Sequence, residues 1–134
     1  MDRGAFATFV ARSDDRRLDR VGGSRIAQRL VFHGLARRFN PAAAGGFTGE
    51  LQFDLRRADG RVDTWTVLVA EDRARPRRGA ADDPALIISA DVSDVARMAA
   101  GELGPTSALL TRRLDLAGDW GVAMRLGRMF GAPD

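Results

Sequence analysis

At Gly49 the hydrophobic period of this chain changes from helical spacing to strict alternation, and that switch limits the folds it can adopt. Upstream, Ser24 is a fair N-cap, and Ile26, Leu30, Val31, Leu35 and Phe39 follow it at helical spacing. Downstream, Leu51, Phe53 and Leu55 alternate with Glu50, Gln52, Asp54 and Arg56, which describes a strand with one wet face. Ala58-Asp59-Gly60 supplies a turn, and Thr64 to Ala70, built around Trp65, Val67 and Val69, returns as the second arm of a hairpin. Between helix and hairpin, Asn40-Pro41 and Gly45-Gly46 predict a loop.

Beyond the hairpin, Arg73 to Asp83 is charged and broken by Pro76 and Gly79, so it is at best an edge strand. Ala85 to Ala90 contains Leu86-Ile87-Ile88, the compact apolar run of a buried strand. Asp91 or Ser93 caps a helix from Val92 to Ala100, with Val95, Met98 and Ala99 inward and Gly101 ending it. Gly104-Pro105 opens a further helix with Leu109-Leu110 as its apolar part. Leu114, Leu116 and Gly118 alternate in a last strand, and Asp119 caps a terminal helix striped by Val122, Leu126, Met129 and Phe130. The N-terminal stretch has an apolar patch (Phe6, Phe9, Val10) and a charged run, and Gly22-Gly23 breaks it, so it holds a short helix at most.

Composition removes several classes of function. With 134 residues a single core is expected. Cysteine is absent, which excludes disulfides, thiolate metal sites and a cysteine nucleophile, and makes the reducing cytoplasm the natural compartment. No run approaches the roughly 20 apolar residues of a membrane span, and the N-terminus lacks the apolar centre of a signal peptide. Every basic residue is arginine, so the isoelectric point near 11.0 overstates a net charge of only +3. Arginine without lysine, amid much alanine, glycine and aspartate, reads as the codon bias of a GC-rich bacterial genome, and nucleic acid is not the expected partner.

The ordered series Asp83-Pro84-Ala85-Leu86-Ile87-Ile88-Ser89, Asp94-Val95, Gly101-Glu102-Leu103-Gly104-Pro105 and Leu114-Asp115-Leu116-Ala117-Gly118-Asp119 resembles the sterol carrier protein 2 family. Gly49 to Leu55 and Thr64 to Val67 sit where that family places its first hairpin, and the resemblance runs from about residue 26 to 131. It implies an α+β fold: a five-stranded, mostly antiparallel sheet covered on one face by helices, with an apolar tunnel between the layers. It also implies a lipid-binding domain over residues 24–134, preceded by an extension of residues 1–23. One departure stands out, because Arg112 occupies a position before the final strand where the family often has glycine.

Carried over residue by residue, the tunnel draws on Phe53, Leu55, Trp65, Val67, Met98, Leu103, Leu109, Leu110, Trp120, Met124, Leu126, Met129 and Phe130. The function so implied is non-catalytic binding or transfer of a hydrophobic molecule (fatty acyl, sterol or isoprenoid-like), with no cofactor, by a monomer or homodimer. On this reading an arginine at Leu109 or Met124 abolishes uptake. The alternative is a cyclase or isomerase that uses the same cavity to fold a polyketide or isoprenoid intermediate.

Catalytic residues are scarce. The single histidine, His33, lies on a helix face and is the one candidate acid or base, with no nucleophile elbow to serve. Asp54 and Asp115 read as a wet strand face and Asp119 as a helix cap, and no metal-ligand spacing is present. The arginine clusters are interleaved with acids and read as solvated faces, with Arg75, Arg77 and Arg78 as the group for transient contact with anionic lipid headgroups.

Overall fold

The computed structural model describes residues 14–131, and the apolar patch at Phe6, Phe9 and Val10 lies outside them. Asp14 accepts the amide of Arg17 and starts α1 (Asp15–Gly22), and Ser24 accepts the amide of Ala27 and starts α2 (Arg25–Arg37). Inside the expected loop, Asn40 caps a single turn, α3 (Pro41–Ala44), which Gly45 closes in the left-handed region at φ 59°. The strands are β1 (Gly49–Arg56), β2 (Val62–Ala70), β3 (Arg73–Arg78), β4 (Pro84–Asp91) and β5 (Leu114–Gly118). Helices α4 (Val92–Ala99) and α5 (Pro105–Leu110) separate β4 from β5, and α6 (Trp120–Met129) follows.

These strands form one five-stranded sheet in the order β3-β2-β1-β4-β5. All neighbours are antiparallel except β1 and β4, which run parallel at the centre, so the sheet is mostly antiparallel, as expected. The chain must therefore cross from the edge strand β3 over β2 and β1 to reach β4. Residues 79–83 make that crossing on the polar face, and the polar side chains hold it there. Thr66 Oγ1 donates to the Gly79 carbonyl at 2.8 Å, Gln52 Oε1 accepts from the Ala81 amide at 3.0 Å, and Glu50 Oε1 accepts from the Asp83 amide at 3.3 Å. The alternation that reads as a wet face is thus partly a rail for the crossover, and Thr66 is fully buried beneath it.

The opposite face carries the core. Leu51, Leu55, Trp65, Val67, Val69, Leu86, Ile88, Ala90 and Leu114 join Phe32 of α2, Val92 of α4 and Val122 and Met129 of α6 in one cluster. Here α2 departs from expectation. Ile26 and Leu30 stand outside, 76% and 67% exposed, whereas Gln28 and Phe32 face in. The reason is the indole of Trp65, whose Nε1 donates to Gln28 Oε1 at 2.9 Å, while Gln28 Nε2 donates to Asp63 at 2.8 Å. Phe32 stacks on the same indole with centroids 4.7 Å apart, and Arg78 lies 4.8 Å from the Trp65 ring centroid. A buried glutamine with both amide atoms engaged is compatible with the core, and it turns the helix away from its most apolar register.

Of the stretch expected to be an extension, residues 1–23, the part from residue 14 is described, and its helix α1 packs on α4 and the β1–β2 turn. Leu18 of α1 is 1% exposed against Ala96 of α4, and Asp19 accepts the amide of Ala58 in the β1–β2 turn at 2.8 Å.

Arg112, just before β5, adopts a glycine-like φ of 61°. An L side chain costs about 1–2 kcal/mol in the left-handed region. Arg112 is exposed, so Arg112→Gly should stabilise the domain. The expected gain, after allowing for glycine's extra unfolded-state freedom, is about 1 kcal/mol, or roughly 4 °C in Tm by calorimetry. An unchanged or lower Tm contradicts this account.

Candidate ligand-binding site

Three rows of side chains cross the inner face of the sheet. One row runs Val67, Leu51, Leu86, a second runs Trp65, Phe53, Ile88, Leu116, and a third runs Leu55, Ala90, Leu114. The outer rows are sealed, with Leu51 at 0% and Leu55 at 2% exposed. In the middle row Phe53, at the centre of the central strand, keeps part of its surface, and so does Leu116 at the sheet edge. Such a position is ordinarily the most completely covered in a sheet with one helical layer. Leu35 of α2, Val95 and Met98 of α4, Leu103, and Ala123 and Leu126 of α6 are likewise packed against the core without being closed over.

A cavity of about 220 Å³ lies towards the other end of β2. Phe39, Pro41, Ala44, Phe47 and Val69 line it, and Glu71 and Asp72 stand at its rim. Those two acids form the β2–β3 turn with φ of 54° and 60°, the paired positive values of a type I′ hairpin turn.

The thirteen residues expected to line a tunnel separate into three groups. Leu55, Trp65, Val67, Met129 and Phe130 are sealed in the core. Phe53 lies in the middle row, and it, Met98, Leu103 and Leu126 are partly open side chains packed against the core. Leu109, Leu110, Trp120 and Met124 are exposed, at 39%, 78%, 61% and 80%. For Trp120 and Met124 the cause is geometric: at about 100° per residue they lie roughly opposite Val122 and Met129 on α6. Sequence reasoning left Leu35, Leu116 and Phe47 out of the site. The first two sit in elements with the right period, whereas Phe47 follows Gly45-Gly46 and carries no periodic signal.

The charged groups act as fasteners. Asp119 accepts from the amides of Gly121 and Val122 and sets the start of α6. Arg56 bridges Asp91 at 2.9 Å and Asp115 at 3.1 Å across three strands, and those contacts hold its guanidinium above its ordinary pKa. Asp54 accepts from Gln52 and Thr64. His33 is exposed on α2. Among the described residues no three histidine or acidic side chains are grouped to hold a metal ion, and no helix is long and apolar enough to cross a membrane.

The model of the SCP-2 sterol transfer family matches residues 32–131. This chain belongs to that family. No curated protein matches it in sequence. SCP-2 structures share its fold. The sterol carrier protein domain 2 of Helicoverpa armigera is 17% identical with a TM-score of 0.63, over 79% of this chain and 85% of that one. Sterol carrier protein 2 from Yarrowia lipolytica, in its apo form, is 15% identical with a TM-score of 0.60, over 82% and 94%. Palmitated SCP2L2 from Aedes aegypti is 18% identical with a TM-score of 0.57, over 73% and 92%. At these identities the likeness extends to the fold. The SCP-2 match begins at residue 32, inside α2, so α1 lies outside it.

Proposed function

We propose that this chain binds a lipid-like molecule along the middle row of its sheet and carries it unchanged. The observation that carries the reading is the partly open Phe53 at the centre of the sheet, in a middle row that lies between two sealed rows and ends in the partly open Leu116. Leu35, Met98, Leu103, Leu116 and Leu126 are the remaining walls, and joined together they form the apolar tunnel. Membership of the SCP-2 sterol transfer family supports this, as does the palmitate carried by the Aedes aegypti neighbour. Burial of ten methylenes at about 0.8 kcal/mol each contributes roughly 8 kcal/mol before ordering costs, which corresponds to micromolar binding at best without a polar anchor. The ligand class proposed is therefore a long apolar chain or ring system, held by area and not by a headgroup contact. Carriage without chemistry fits the polar groups, because Asp54, Asp115 and Asp119 are spent on structural contacts and His33 faces outward. A cysteine-free chain suits action in the cytoplasm.

The test is uptake. Delipidated protein titrated with a fluorescent polyene fatty acid or a fluorescent sterol should bind one of them with micromolar Kd, and mass spectrometry should recover the ligand unaltered. Failure to take up any apolar probe would overturn the proposal, and recovery of a rearranged product would replace it with the enzymatic alternative.

A further inference from the structure

The pair Gly22-Gly23, which reads in the sequence only as a helix breaker, lets α1 come close to the domain at two points. A Cβ at Gly22 would stand 2.8 Å from Val92 Cγ1 of α4, and one at Gly23 would collide with the guanidinium of Arg57. Little else holds α1 in place. Among its described side chains only Leu18 is buried, against Ala96 and Ala100, and Asp19 reaches the Ala58 amide and, at 3.5 Å, Arg57 Nε. That Nε is buried without a hydrogen bond, so the seated helix carries a cost that its release would remove. An eight-residue helix with one apolar anchor and one unmade bond belongs to the low-stability end of a fold.

Arg57 is shared between two carboxylates. Its Nη1 lies 3.5 Å from Asp63 Oδ2, the same oxygen that accepts from Gln28 Nε2 at 2.8 Å. Gln28 holds the Trp65 indole, Trp65 stacks on Phe32, and Phe32 meets Phe53 edge-on with centroids 5.2 Å apart. A continuous set of contacts therefore runs from α1 to the centre of the middle row. On its other side α1 backs α4, the helix that carries Met98. The strap so formed lies outside the residues matched to the SCP-2 family.

We propose that α1 is a releasable strap that gates exchange of the ligand, an inference that rests on the binding reading above. Seated, Asp19 keeps Arg57 divided between two acids, and Leu18 keeps α4 backed. Released, Arg57 closes on Asp63 alone and Asp63 gives up Gln28. The Trp65–Phe32–Phe53 stack and Met98 then loosen around the row and let the ligand pass.

Trp120→Phe leaves Trp65 as the sole indole of the full chain and serves as the parent for the test. In it, Leu18→Asp should release α1: amide exchange of residues 18–23 accelerates by mass spectrometry, and Trp65 emission moves to longer wavelength with no ligand present. With a fluorescent polyene fatty acid, stopped-flow association and dissociation rates should both rise about tenfold or more, while Kd moves by less than about threefold. Adding Asp63→Asn, which still accepts from Gln28 but no longer attracts Arg57, should return the emission and both rates towards the parent. A helix of purely structural role would lower Tm and leave emission and rates alone. Unaltered exchange in α1, unaltered Trp65 emission with α1 released, rates fixed at the parent value, or no restoration by Asp63→Asn would each overturn the strap. Failure of the parent to take up any apolar probe would instead overturn the binding reading, and the ligand-free emission then still decides whether α1 and Trp65 are coupled.

Discussion

Gly118→Ala should cost about 4 kcal/mol of stability, a large fraction of the 5–15 kcal/mol typical of a domain. Gly118 ends β5 at φ 128°, a region open in practice to glycine alone. A Cβ there would collide with the Ala85 carbonyl oxygen and come within 3.0 Å of the Leu86 Cα, both backbone atoms of the neighbouring strand. Neither can yield, because β4 is an interior strand of the sheet and the same Ala85 oxygen accepts the amide of Asp119 at 2.8 Å. Asp119 in turn caps α6, so the collision propagates to the helix that lays Val122, Leu126 and Met129 on the core. Urea denaturation should show the midpoint falling without a comparable change in m-value, and apolar ligand uptake should fall with it. A loss under 1 kcal/mol would mean that the β5–α6 corner is far more pliable than its contacts imply. The contrast with Arg112 is instructive, since β5 begins after a side chain where glycine would do better and ends on a glycine where no side chain fits.

The order of elements, α3 apart, was legible in the sequence because local devices signal them, such as Ser24 and Asp119 as caps, the alternation of residues 50–56, and the apolar run at Leu86-Ile87-Ile88. The family resemblance, resting on the spacing of residues 83–119, agrees with the match over residues 32–131. What local signals do not hold is which way a helix turns. Ile26 and Leu30 satisfy the helical period as well as Phe32 does, and only the distant indole of Trp65, bonded to Gln28, decides between those registers. The same holds for Trp120 and Met124, apolar residues on a helix whose buried stripe is complete without them. The polar rail for residues 79–83 is also non-local, since Glu50, Gln52 and Thr66 look solvated until the parallel pairing of β1 and β4 forces the chain across them. The single-turn α3 is shorter than any periodic signal and hides between the Asn40-Pro41 and Gly45-Gly46 signals of a loop.

Leu116→Arg should weaken apolar ligand uptake by more than 100-fold, while Met124→Arg should leave it within about twofold. The sequence alone points to an arginine at Leu109 or Met124 as the damaging change, but Met124 is 80% exposed on α6 and lies away from the core. Leu116 sits in the middle row beside Ile88, one strand further from Phe53, and is itself partly open. Because β5 is an edge strand, an arginine there can run its stem along the row and send its guanidinium to solvent, which spares the fold the cost of a buried charge. The stem and charge would fill the opening and deny the ligand about four methylenes of contact, worth roughly 3 kcal/mol. Circular dichroism and Tm should stay close to the parent for both variants, so that loss of uptake reports occlusion and not unfolding. If Leu116→Arg binds as well as the parent, the ligand does not lie over the middle row, and the cavity bounded by Phe39, Phe47 and Val69 becomes the place to look.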